Sequence, residues 1–255
     1  MDLFPVTKEE RKQILKQYNV TEAEVEDGVK TIKIWKEKVQ HLPTNITDDF
    51  IARVLLKNKF RVEHTKEKLD NYFTLRGQNQ DLIYGLENIV PSKHLGLCMP
   101  MSKLTPNLER VVILKLLNTN SDIYDAEEYF KFIVAIAELS LQYDDSIGTR
   151  YIFDFEGFSL KHLVKFNPVL LAKLFTFIQV KIYSDIKPLY DIIPKECLPS
   201  EYGGSCRQWD EAFKNHKSFF IENYNNVALE HLRPEDMKTS DAFGPDGTFK
   251  KLTVD

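Results

Sequence analysis

The chain has 255 residues, of which 43% are hydrophobic and 28% charged, with a net charge of −4. These proportions describe a soluble globular protein, either one large domain or a medium domain with a helical appendage. The acidic balance argues against a nucleic-acid partner, because phosphate binding needs a concentrated basic surface. Three scattered cysteines, Cys98, Cys197 and Cys206, are too few for a disulfide framework and lack the spacing of a zinc site.

The start of the chain, MDLFPVTKEERK, has no apolar signal core, and no run of about 18 apolar residues follows, so a cytoplasmic location is expected. The sequon Asn45-Ile46-Thr47 is then expected to stay unmodified. From Thr21 the apolar residues Val25, Val29, Ile32, Trp35 and Val39 recur at steps of three and four. That spacing predicts an amphipathic helix, stopped by His41-Leu42-Pro43. Thr47 or Asp48 can cap a second helix through Phe50, Val54 and Leu55. Lys59-Phe60-Arg61 reads as a corner, and Val62 to Arg76 as a third helix with Leu69, Tyr72 and Phe73 turned inward.

Pro91 to Pro106 is rich in turn residues and reads as an irregular connector. Arg110 to Leu117 is a nearly continuous apolar run, as expected of a strand covered on both faces. Asp125 to Tyr143 has helical spacing, and Tyr151 to Phe155 reads as a second buried strand after Gly148. Asn167-Pro168 is a good helix start for an apolar helix over 169–179, followed by a short strand over 180–183. Gln208 to Val227 reads as a last helix, and the tail from Arg233 as loose. Strands alternating with helices predict a mostly parallel α/β sheet.

Catalytic signatures are missing. There is no GxSxG elbow, no Gly-rich phosphate loop and no HExxH, and the six histidines are dispersed. Gly203-Gly204 reads as a turn. Asp154 and Glu156 flank a strand end, where carboxylates more often cap a helix or pair with a lysine than do acid–base work. No enzymatic activity, cofactor or metal is expected. Phenylalanines crowd the region from Phe130 to Phe177, either as a packed core or as walls of an apolar cavity.

Three segments occur in order: Lys59 to Leu69, the strand and turn Gly148-Thr-Arg-Tyr-Ile-Phe-Asp-Phe-Glu-Gly-Phe158, and Leu198-Pro-Ser-Glu-Tyr-Gly-Gly204. With the ending Phe243 to Leu252 they resemble the CRAL-TRIO lipid-binding family, near the insect relatives of alpha-tocopherol transfer protein. The resemblance implies an N-terminal helical subdomain over 1–90, an α/β lipid-binding domain over 91–228 and a tail over 229–255. It implies binding of a retinoid-, tocopherol- or phospholipid-like molecule and its transfer at a transient membrane surface. Pocket positions of that family fall on Phe132, Ala135, Leu139, Thr149, Phe153, Phe158, Leu160, Leu174, Phe177 and Ile178, and its phosphoinositide contact on Arg150. Lys131 stands where a small polar pocket residue is expected.

The chain departs from that pattern after Gln179, where about 40–50 residues of the family pattern are missing, more than one βαβ unit. One central strand, the gate helix and most of the basic contacts would lie in that piece. The loss would leave exposed sheet edges. The alternative expectation is therefore a non-transporting relative that acts through protein–protein contacts.

Overall fold

The structure is a computed structural model and describes residues 4–39, 41–78, 96–165 and 186–206. The chain divides into two compact units, Glu22–Asp81 with Leu229–Asp255, and Met1–Thr21 with Leu82–Ala228. The predicted helix over 169–179, the strand over 180–183, the helix over 208–227 and the Gln179–Val180 junction lie outside the described residues.

The described part of the first unit is helical. Helix α2 spans Glu22–Glu37 and buries Val25, Gly28, Val29 and Ile32 on one stripe, as the spacing predicts. Helix α3 spans Asp48–Lys57, and the Thr47 side chain accepts from the Phe50 N–H at 3.2 Å, so Thr47 is the cap. Helix α4 spans Val62–Gln78. The corner between α3 and α4 is built by Lys59 and Phe60, both at φ 57°. Their N–H groups close on the Leu56 and Leu55 carbonyls at 2.9 Å each, which satisfies the end of α3. Non-glycine residues pay a steric cost there, and that cost sets the sharp reversal.

The core of this unit comes from Val25, Ile32, Phe50, Ile51, Leu55, Leu69 and Phe73. Phe50, Tyr72 and Phe73 form a ring cluster, with Tyr72 and Phe73 edge to face at 4.9 Å. Gly28 is the close-approach point, since a Cβ there would sit 2.8 Å from Leu55 Cδ2.

The second unit is a sheet with helices. Helix α1, Lys8–Tyr18, opens with a capping box between Thr7 and Glu10. Strands β1, Leu97–Leu104, and β2, Glu109–Lys115, pair antiparallel, and β2 pairs parallel with β3, Gly148–Asp154. The sheet order is β1-β2-β3. Helix α5, Ala126–Tyr143, makes the crossover between β2 and β3, capped by Asp125 at the Glu128 N–H. A single turn, α6, spans Leu160–Leu163. Three 3-10 turns follow at Lys187–Asp191, Lys195–Cys197 and Ser200–Tyr202.

Two expectations are corrected here. Residues 91–106 are not an irregular connector throughout, because they hold β1. Pro100 sits in that strand opposite Val112, and the register shifts between Pro100 and Leu104. A proline fits a strand on the sheet's edge or at a bulge. Strand β2 is buried along its centre as expected, but β3 is half-exposed along its length. The sheet among the described residues is mixed rather than mostly parallel. The coarse class, mixed α/β with an N-terminal helical part, stands.

Each face of the sheet has its own apolar layer. Tyr129, Phe132, Ala135, Ile136 and Leu139 of α5 pack with Cys98, Val112, Leu114 and Phe4. On the opposite side Leu97, Met99, Val111 and Ile113 pack with Ile193, Cys197, Leu198 and Tyr202. At the start of β2, Arg110 is fully buried and ion-paired with the equally buried Asp144 at 3.0 Å. Its remaining N–H groups donate to the carbonyls of Met101 at 2.8 Å, Ser102 at 3.1 Å and Pro5 at 3.0 Å. Ser146 completes Asp144 through its N–H at 3.0 Å and its hydroxyl at 2.8 Å.

Candidate functional site

Of the residues expected to line a pocket, Phe132, Ala135 and Leu139 share one buried layer, and Phe153 and Phe158 pack against it. Thr149 is half-buried on β3. Leu160 stands apart from these, 79% exposed on α6. Leu174, Phe177 and Ile178 lie outside the described residues. Arg150 is bound within the sheet by Glu109 of β2. Lys131 pairs with Glu127 one turn back on α5, at 2.8 Å.

Chemistry-bearing groups converge where the parallel strands end. Lys115 Nζ donates to Asp154 Oδ2 at 2.8 Å and to Glu156 Oε2 at 2.5 Å. The Tyr202 hydroxyl donates to the same Asp154 oxygen at 2.5 Å. Burial alone pushes the Asp154 carboxyl up. The hydrogen bonds from Lys115 and Tyr202, and from the Glu156 N–H, outweigh it and hold Asp154 below its ordinary range. Burial pushes Lys115 down, but its two carboxylate partners more than offset that and hold the ammonium above its ordinary value. Burial, then the bond to Asp154, pushes Tyr202 well above the usual phenol range. Lys115, Asp154, Glu156 and Tyr202 thus form one hydrogen-bonded set. It ties the turn around Tyr202 to the end of the sheet.

The 198–204 turn supports that tie. Gly203 lies at φ 68°, and a Cβ on Gly204 would sit 2.0 Å from the Leu198 carbonyl oxygen and 2.3 Å from that of Lys195. The sequence leaves Asp154 and Glu156 as either helix caps or lysine partners, and the structure shows the lysine pairing. The identities of Lys115 and Tyr202 were missed, although a lysine interrupting the apolar run of β2 was the available signal.

In the helical unit some polar contacts join different elements. Lys33 on α2 pairs with Asp48 at the start of α3 at 2.7 Å. His41, nearly buried, pairs with Asp70 of α4. Lys36 Nζ donates to the Thr44 carbonyl at 2.8 Å. Three short helices around one core, held by inter-helix ties, make a small module.

This module carries the similarity to a known family. Residues 21–84 match the family described as Pinta-like, UBA domain. The match coincides with α2, α3 and α4 and covers about a quarter of the chain. It corrects the expected assignment to the CRAL-TRIO lipid-binding family. A UBA domain is a protein-interaction module, so the partners implied by that assignment are corrected with it: the hydrophobic small molecule, the transient membrane surface and the phosphoinositide. Lys59–Leu69, one of the four segments that carry the resemblance, forms the α3–α4 corner and the first turns of α4, inside the matched module. Among the described residues no helix is long and apolar enough to cross a membrane. By its match the chain is similar, over its first helical unit, to Pinta-like UBA domains.

Proposed function

We propose that the protein works through protein–protein contacts, and that the α2–α4 module binds ubiquitin or a ubiquitin-bearing protein. The observation that carries this reading is the coincidence of the 21–84 family match with a three-helix unit that has its own apolar core. UBA stands for ubiquitin-associated, and such a module recognises its partner by surface complementarity with no covalent step. The reading makes the chain a binding protein rather than an enzyme. Consistent with that, both carboxylates at the sheet end are committed to Lys115 and Asp154 also to Tyr202.

Isothermal calorimetry of the full chain against monoubiquitin and linked ubiquitin chains tests it. Saturable heats are expected with at least one of these. No heat with any of them, from folded protein, would overturn the reading.

A further inference from the structure

The segment that leads into α1 is held on the sheet unit by side-chain groups. Residues 4–7 run without helix or strand structure up to the Thr7 cap. Phe4, 2% exposed, belongs to the apolar layer that α5 forms with β1 and β2. Pro5 follows and has no N–H to give. Its carbonyl accepts from Arg110 Nη2 at 3.0 Å. A ring in an apolar layer, followed by a carbonyl captured on a guanidinium, is how a ligand is held: an apolar pocket with a few placed polar groups.

The receiving side is fixed without the segment. Arg110 keeps Asp144 through Nε at 3.3 Å and Nη2 at 3.0 Å, and the Met101 and Ser102 carbonyls through Nη1. Those carbonyls lie where β1 shifts register against β2, between Pro100 and Leu104. Asp144 caps the end of α5 and is held in turn by Ser146. The guanidinium therefore stays in place when Pro5 leaves. The departing residues regain backbone freedom, which offsets the loss of the Phe4 burial and the Pro5 bond. Their binding surface is preformed, so a returning segment meets little ordering cost beyond its own.

We propose that residues 4–7 are a releasable strap that fills a peptide-docking slot on the sheet unit, and that the slot takes an aromatic residue followed by proline when the strap is out. The strap is an autoinhibitory contact, because a segment supplied in trans binds only the fraction of molecules whose slot is empty. The slot belongs to the sheet unit and stands independently of ubiquitin recognition by the helical unit.

The test titrates a labelled peptide, Met-Asp-Leu-Phe-Pro-Val-Thr-Lys, with the full chain and follows fluorescence anisotropy. Phe4→Ala in the chain weakens the strap. That variant is expected to bind the peptide saturably and at least tenfold more tightly than the wild type, with circular dichroism unchanged. A peptide carrying the same Phe4→Ala change is expected not to bind. If the Phe4→Ala chain does not fold, Phe4→Leu, which keeps more of the side-chain volume, decides by the same comparison. A folded variant that does not bind the peptide overturns the proposal. So does equal binding by variant and wild type, or equal binding of the two peptides.

Discussion

Replacing Arg110 with alanine isolates the strongest single polar commitment of the sheet unit. The guanidinium and the Asp144 carboxylate are both fully enclosed. Arg110→Ala takes the guanidinium away from Asp144, which keeps the Ser146 donors, and strips a donor from the carbonyls of Met101, Ser102 and Pro5. Removing one partner of a buried pair costs about 3–5 kcal/mol, because the remaining charge stays buried without its counter-charge. For a unit of this size each kcal/mol moves the midpoint by about 2–4 °C, so the sheet transition is expected to fall by roughly 6–20 °C. Scanning calorimetry reads this, and the helical unit serves as an internal reference if its transition separates. Arg110→Ala with Asp144→Ala removes both charges and is expected to cost less than the sum of the two single changes. A loss under about 1 kcal/mol for Arg110→Ala would refute the reasoning, since it would mean that water reaches Asp144 in the folded state.

Leu55→Ala opens a cavity among α2, α3 and α4 and is expected to cost the helical unit about 2–5 kcal/mol in chemical denaturation. Gly204→Ala drives a methyl into two backbone carbonyls and is expected to destabilise the 198–206 turn by more than about 2 kcal/mol; faster amide exchange from Leu198 to Cys206 would show it. Asp154 is held below its ordinary pKa, so its contribution is present above the unfolded carboxylate value of about 3.9 and is lost as pH falls through the folded one. Asp154→Asn is expected to flatten the acid limb of stability against pH, and an unchanged limb would contradict the ion cluster.

The helical unit was legible in the sequence because its elements carry their own signals. The three-and-four spacing of Val25, Val29 and Ile32, the Thr47 cap and the Lys59–Phe60 corner are all local. Strand β1 was not, because Pro100 and the polar pair Ser102-Lys103 interrupt its apolar pattern, and its strand character depends on pairing with β2. The exposure of β3 was equally hidden. Tyr151, Ile152 and Phe153 are apolar enough for a fully covered strand, and the half-exposure of β3 shows only once the strand is placed in the sheet. The Lys115–Asp154–Glu156–Tyr202 set joins residues far apart in the chain, which no local period reveals. The family expectation followed short matching segments, whereas the match over 21–84 rests on a whole folded unit.

The central claim is ubiquitin recognition by the α2–α4 module. It is tested by titrating isotope-labelled ubiquitin with the full chain and following the ubiquitin spectrum by NMR. A localised, saturable set of shifts on ubiquitin is expected. A ubiquitin spectrum unchanged by folded wild-type protein would overturn it.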